Sequence, residues 1–298
     1  MAIKLKTLSD QEHLCQGNLA CAGCSQILGL RQVLKVLGEN TLVVNTTGCM
    51  AVITQMGVPK VPHFHVLFEN AAAVASGIDD ALKQQGRRDQ YKLLVVGGDG
   101  GTADIGLASL SGAIERGQDF IYICFDNESY MNTGGQRSGT TPFAARTSTT
   151  PVGTVSRGEA RLPALRKNMV EIIAAHNIPY AASTAIGYPM DFLGKVEKAA
   201  QVRGPSYIHC HAPCPPGWGV DSELVIEASK LAVQTGAVLL YEIENGERRI
   251  TKKVSKRKPI ADYLKLQARF RHILDDEKLI EQLQREVDAG FEALTARC

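Results

Sequence analysis

No charge of one sign dominates this chain. Its 33 Lys and Arg residues stand against 31 Asp and Glu, a formal net charge of +2. That balance implies neither nucleic acid nor an anionic membrane surface as a strong partner. Long apolar runs are missing too, and none approaches the roughly 20 residues that a membrane helix needs. Met1 to Glu12 mixes charges with isolated apolar side chains and holds no signal-peptide core. A cytoplasmic protein is expected. There is no internal repeat and no low-complexity tract, so repeat arrays and biased linkers are excluded.

What is present is a hydrophobic share of 44%, enough for a substantial core. The length suits two domains, or one large α/β domain with appendages. Eight cysteines in a cytoplasmic chain point to metal or cluster ligation rather than disulfides.

Hydrophobic spacing predicts helices over 27–37, 68–85, 167–176, 190–200 and 223–235, and one or two amphipathic helices over 260–297. Strands are predicted at 41–44, 93–96, 120–125, 180–183 and 206–210. A hairpin is expected around Asn245-Gly246, a type I′ turn signal. Pro59 to Pro62 should break structure. Residues 1–20 look irregular, and 133–163, rich in Gly, Thr, Ser, Arg and Pro, form a loop long enough to be functional. The alternation of strands and helices argues an α/β fold, a mostly parallel sheet with helices on both faces. The expected division is an α/β domain over 1–236 and a C-terminal hairpin and helical extension over 237–298.

The stretch Val95-Val96-Gly97-Gly98-Asp99-Gly100-Gly101 carries the clearest chemistry. A buried strand ends in glycines and feeds a helix bearing Leu107, Leu110 and Ile114. Glycines let backbone N–H groups approach a phosphate, and the helix start favours negative charge. Asp99 adds a hard oxygen ligand of the kind that holds Mg2+ beside substrate phosphates. A second strand ends at Asp126-Asn127, and both strand ends should face the ligand side of an open sheet. Taken alone, the glycines could be a plain turn with a solvated Asp. Gly98-Asp99-Gly100 followed by Asn127, within Asn-x-x-Tyr-x-Asn, resembles the thiamine diphosphate fingerprint. That resemblance implies Mg2+ bound by Asp99, Asn127 and the backbone carbonyl of Ser129.

Cys21-x-x-Cys24 forms a chelating corner, with Cys49 and a distant cysteine available to complete four thiolates. Such a set suits Zn2+ or a [4Fe–4S] cluster. Cys210 and Cys214 compete for the fourth place, and His209 and His211 are ligands by type. Prolines frame Cys214 in Ala212-Pro213-Cys214-Pro215-Pro216, which favours it. Cys15, Cys124 and Cys298 read as bystanders, Cys124 as core.

Taken together, CAGC at Cys21, TTGC ending at Cys49, FENAAAVASG from Phe68, GGDGGTADIGLASLSGAIERG from Gly97, DNESYMNTGGQRSGTTP from Asp126 and APCPPGW from Ala212 cover nearly the whole chain. They resemble the thiamine-binding β subunit of 2-oxoacid:ferredoxin oxidoreductases, of the split-chain pyruvate and branched-chain types. The resemblance implies a [4Fe–4S] cluster on Cys21, Cys24, Cys49 and Cys214. It places Gly48, Cys49, Gly98, Asp99, Gly100, Gly101, Asn127, Asn132 and Thr133 at the cofactor. Asn132 would face the reacting carbon as a neutral hydrogen-bond donor. Ser25 and Ala51 depart from the family pattern, which often has Gly and an acidic residue at those two places. Asp104 and Glu69-Asn70 are expected at helix starts, and Arg137 could meet an acidic substrate or coenzyme A.

The implied reaction is oxidative decarboxylation of a 2-oxoacid, pyruvate first, with acyl transfer to coenzyme A and electrons passed to ferredoxin. Oxalate, branched-chain and aryl 2-oxoacids are alternatives. The glutamate that activates thiamine comes in this family from a separate pyrimidine-binding α subunit, with γ and ferredoxin-like δ subunits or domains beside it. The competing classes are a non-oxidative thiamine lyase or carboligase component with structural zinc, and a non-catalytic cysteine-rich interaction subunit. The basic run Arg248, Arg249, Lys252, Lys253, Lys256, Arg257, Lys258 reads as a solvated edge or a docking surface for an acidic ferredoxin-like chain.

Overall fold

The computed structural model describes residues 8–56, 60–151, 153 and 166–298. Residues 1–7, the predicted break at Pro59, and loop residues 152 and 154–163 lie outside them. An eight-stranded sheet forms the centre, in the order β2-β1-β3-β4-β6-β5-β7-β8. Six strands are parallel: β1 (Thr41–Thr46), β2 (His63–Val66), β3 (Lys92–Gly98), β4 (Ile121–Asp126), β5 (Tyr180–Ala185) and β6 (Ser206–His211). The antiparallel hairpin β7 (Tyr241–Glu244) and β8 (Glu247–Ile250) extends the β5 edge. Asn245 and Gly246 both have positive φ, as a type I′ turn requires. The hairpin thus belongs to the same sheet as the α/β core.

Central strands read as unbroken apolar runs because both their faces are covered. Successive residues alternate between the faces. Leu94, Val96, Ile123 and Phe125 meet helices α1 (Ser25–Leu37), α2 (Cys49–Met56) and α6 (Pro189–Ala199). Leu93, Val95, Tyr122 and Cys124 meet α3 (Ala71–Gln84), α4 (Leu107–Glu115) and α5 (Met169–Ala174). Gly29 brings α1 down onto β4, where a Cβ atom would stand 2.3 Å from the Phe125 ring. Short α7 (Pro215–Trp218), α8 (Val225–Thr235), α9 (Ile260–Leu264) and α10 (Glu277–Thr295) build a third apolar cluster with Trp218, Tyr263 and Phe270. No helix of the described residues is long and apolar enough to cross a membrane.

This topology decides where the chemistry sits. Strand order reverses between β1 and β3, since the chain leaves β1 toward β2 on one side and β3 toward β4 on the other, and ligands bind at such a switch point, beyond the carboxyl ends. Gly48-Cys49 follow β1, Asp99 follows β3, Asn127 follows β4 and Cys214 follows β6. Four strands adjacent in the sheet therefore deliver the predicted residues to one rim.

Candidate active site

Asp99 is 1% exposed at the end of β3. Behind it the chain makes a π-helical turn over Gly100–Asp104 before α4 begins, a local form that recurs at functional sites. Gly100 cannot be replaced in place, because a Cβ there would lie 2.3 Å from the Tyr130 ring. Ser138 Oγ donates to Asp99 Oδ2 at 2.5 Å and Thr140 Oγ1 approaches the same oxygen at 3.1 Å. The opening residues of the long loop thus close over the carboxylate.

Asn127 is 4% exposed, and its backbone carbonyl accepts Trp218 Nε1–H at 2.8 Å. Its carboxamide can take two orientations, turning either its nitrogen or its oxygen toward Asp99. In one, the amide nitrogen donates to Asp99 Oδ1 at 3.0 Å and to the Ser129 carbonyl at 2.7 Å, and the amide oxygen accepts from Gln26 Nε2 at 3.0 Å. In the other, the amide oxygen faces both of those oxygens. Burial first, and then the charge of Asp126, push Asp99 well above the usual carboxylate range. A divalent cation between the three oxygens would offset both effects. Three hard oxygen donors from Asp99, Asn127 and Ser129 fit Mg2+.

Asp126 lies behind this group. Burial raises its carboxyl, but the hydrogen bond and charge of His209 outweigh that and hold it below the usual range. His209 Nε2 is 2.8 Å from Asp126 and its Nδ1 is 2.8 Å from Tyr207 OH. His211 is buried against Trp218 and Tyr263 and pushed down to about 3, chiefly by burial. Both histidines are engaged here rather than beside the cysteines. Glu128, at φ 64°, is held by Arg166 at 2.9 Å and by Arg269, which lies over the Trp218 ring.

All eight cysteines are free thiols. Cys24 precedes α1, Cys49 opens α2 and Cys214 precedes α7. Ser25 Oγ donates to the Pro213 carbonyl at 2.6 Å and Ser222 Oγ to the Ala22 carbonyl at 2.9 Å, tying the CAGC corner to the Cys214 loop. Cys49 is pushed up to about 12 by burial first, then by Cys214, Cys24 and Cys21; Cys214 is pushed up to about 11 by burial, with Cys24 and Cys21 adding to it. Each of these thiols thus feels the others. Among the described residues no three His, Cys, Asp or Glu side chains converge as ligands of a single ion. The half-buried Cys24, Cys49 and Cys214 and the exposed Cys21, which repel one another as thiolates, are a donor set that a cationic iron–sulfur centre would neutralise. Cys210 lies elsewhere, wholly buried among Phe125 and Phe192, and Cys124 is core.

Two cavities meet at this rim. A narrow cleft of about 30 Å³ is lined by Gly48, Cys49, Gly98, Asp99, Gly101 and Asn127, with Asn132 and Thr133 at its exposed lip. That space seats only one end of a ligand, since ligand pockets run to about 300–1,000 Å³. A larger cavity of about 650 Å³ is bounded by Cys21, Cys49, Cys214, Glu128 and Arg269. Cys49 lines both.

Some expectations are corrected. Asp104 does not start a helix; it accepts the Gly139 N–H at 2.9 Å and Lys167 Nζ at 2.8 Å, anchoring the loop over Asp99. Asn70 does stand at the start of α3, as expected, though without a side-chain cap bond. Arg137 Nε is buried without a hydrogen-bond partner. The basic run divides: Arg248 pairs with Glu171, Arg249 with Glu242 and Arg257 with Asp288, while Lys252, Lys253, Lys256 and Lys258 are exposed. Sequence reasoning gave no role to Gln26, Ser138 or Thr140, and none to Tyr130 beyond its place in the motif. The signals for the two hydroxyls were the length of their loop and their place in the stretch from Asp126.

Residues 23–210 match the family profile of the thiamine pyrophosphate enzyme, C-terminal TPP binding domain. The chain is 50% identical to the pyruvate synthase subunit PorB of Methanothermobacter thermautotrophicus, over 96% of this chain and 99% of that one. It is 44% identical to the ketoisovalerate oxidoreductase subunit VorB of Pyrococcus furiosus, over 98% and 95%. Its fold is similar to that of the 2-oxoglutarate:ferredoxin oxidoreductase from Magnetococcus marinus, solved with 2-oxoglutarate, coenzyme A and succinyl-CoA. That match has a TM-score of 0.59 at 20% identity, over 75% of this chain and 82% of that one.

Proposed function

The chain belongs to the thiamine pyrophosphate enzymes, among the β subunits of 2-oxoacid:ferredoxin oxidoreductases, and we propose that it is the cofactor-binding subunit of a pyruvate:ferredoxin oxidoreductase. The observation that carries this reading is the meeting, on one carboxyl rim, of the Asp99, Asn127 and Ser129 oxygens with Cys21, Cys49 and Cys214, Cys49 lining both cavities.

In this reading Asp99, Asn127 and the Ser129 carbonyl hold Mg2+, and Gly98 to Gly101 offer backbone N–H groups to the diphosphate. Cys21, Cys24, Cys49 and Cys214 hold a [4Fe–4S] cluster. Thiamine diphosphate, when bound, would supply the carbanion chemistry by which a 2-oxoacid loses CO2, and the cluster would supply a one-electron acceptor. The chain's own work is binding and orientation. Trp218 and Thr141 fix the Asn127–Ser129 turn through the backbone carbonyls of Asn127 and Glu128. Ser138 and Thr140 orient Asp99. Asn132, at the lip of the cleft, presents an uncharged amide where negative charge develops on a substrate oxygen.

The narrow cleft supports a shared site in which a pyrimidine-binding α subunit supplies the activating glutamate and this chain alone is inactive. The γ and ferredoxin-like δ components, ferredoxin, coenzyme A and a cytoplasmic location belong to the same proposal. Identity to a relative named for ketoisovalerate, 44% over nearly the full length, supports a branched-chain 2-oxoacid as the second reading.

The test is turnover of the assembled complex on a panel of 2-oxoacids, with and without coenzyme A. Coenzyme A-dependent ferredoxin reduction on pyruvate at least tenfold faster than on 3-methyl-2-oxobutanoate is expected. The reverse ranking selects the second reading, and no turnover on any 2-oxoacid refutes both. A broad absorbance at about 400 nm that bleaches on reduction separates a cluster from structural zinc.

A further inference from the structure

Gln26 is 3% exposed, lies in the first turn of α1 two residues after Cys24, and lines the narrow cleft. Its Nε2 donates to the Phe125 carbonyl at 3.1 Å and stands 3.0 Å from the Asn127 carboxamide. Its Oε1 is buried without a hydrogen-bond partner. A buried carbonyl oxygen left unpaired in this way is costly and calls for an explanation.

The Asn127 carboxamide supplies one. With its nitrogen toward Asp99 and Ser129, its oxygen accepts from Gln26 and the Asn127 carboxamide is satisfied without a cation, while Gln26 Oε1 is not. With its oxygen turned inward as a ligand, its NH2 group faces Gln26 and needs an acceptor. The nitrogen of Gln26 cannot serve, but its Oε1 can, once the Gln26 side chain turns and its Nε2 gives up the Phe125 carbonyl. We infer that Gln26 is a positioning residue whose Oε1 receives the Asn127 NH2 group when Asn127 turns its oxygen to a divalent cation. The two carboxamides reverse together, and Gln26 thereby sets the cation affinity without being a ligand. The inference rests on the oxygen-triad reading of Asp99, Asn127 and Ser129.

The test is a Mn2+ titration, followed by electron paramagnetic resonance, of the assembled complex with thiamine diphosphate present. Gln26→Leu, which offers no acceptor, is expected to weaken Mn2+ binding about tenfold. Gln26→Glu, which keeps an acceptor, should stay within about threefold of the wild type or bind more tightly. Wild-type affinity in Gln26→Leu, or an equal loss in both variants, overturns the inference. Gln26→Ala replaces the leucine variant if that one does not assemble. Failure of the wild type itself to bind Mn2+ in a cofactor-dependent way would instead refute the triad reading.

Discussion

Asp99 and Asp126, both buried, share one hydroxyl: Thr140 Oγ1 stands 3.1 Å from Asp99 Oδ2 and 2.8 Å from Asp126 Oδ1. Two carboxylates held this closely without a cation repel one another, and burial strengthens the repulsion.

Replacing Asp99 should therefore separate stability from function. In Asp99→Asn one of two buried like charges disappears and the shape is kept. The cofactor-free complex should be as stable as the wild type, or higher in Tm by roughly 2–4 °C for about 1 kcal/mol. Calorimetric affinity for thiamine diphosphate with Mg2+ should fall at least 100-fold, and Asp99→Ala should abolish binding while the fold survives. Undiminished Mg2+-dependent affinity would remove Asp99 from the site.

The cysteine assignment makes a ranked prediction. Cys214→Ser should lose most of the iron carried by this chain. Cys210→Ala should keep iron near wild type and show only the loss of a buried thiol, because Cys210 is wholly buried in the apolar core and lines neither cavity. Alanine is preferred there because serine would bury an unpaired hydroxyl, at about 1–3 kcal/mol. Iron and acid-labile sulfide analysis of the assembled complex decides; the opposite ranking sinks the assignment of Cys214.

His211 gives a pH dependence with a definite sign. Burial holds its folded pKa at about 3, against 6.5 in the open chain. Between those values the unfolded chain binds a proton that the folded one does not. The stability His211 contributes is thus complete above pH 6.5 and drains away as pH falls toward 3, by at most about 1.4 kcal/mol per unit. Between pH 7 and 5 the wild type should lose about 2 kcal/mol more than His211→Phe. Denaturant melts at the two pH values measure the difference, and parallel losses would contradict it.

The exposed lysines make a prediction about a partner. Since Arg248, Arg249 and Arg257 are engaged within the chain, only the lysines are free to steer an acidic protein. Neutralising Lys252, Lys253 and Lys256 together should slow ferredoxin reduction severalfold at low salt and flatten its ionic-strength dependence. Reduction of a small neutral dye should not change. A ferredoxin rate that stays at wild type in low salt leaves these lysines a solvating role only.

The parallel core was legible because Leu93 to Val96 and Ile121 to Phe125 are apolar without interruption, and only strands covered on both faces read that way. Asp99 and Asn127 were legible as strand ends. The pairing of β7 with β5 was not, since a hairpin signal fixes the turn but not the edge it joins. Nor could spacing reveal that Ser138 and Thr140 fold back 39 and 41 residues to reach Asp99. Hydroxyl side chains in a loop have no period, and their partners are chosen in three dimensions. Gln26 was hidden for another reason: it lies one residue before the predicted helix over 27–37, with nothing unusual in its spacing, and only the missing partner of its Oε1 sets it apart.

Every parallel strand that carries chemistry carries it at its carboxyl end, which leaves the other end of the sheet idle. The turns there, with exposed Glu39 before β1 and Arg87 before β3, lie a strand's length from the cysteines and the oxygen triad, about 20 Å at some 3.3 Å per residue. A tether inserted after Glu39 or Arg87 could fix the protein to an electrode or resin with its reactive rim facing outward.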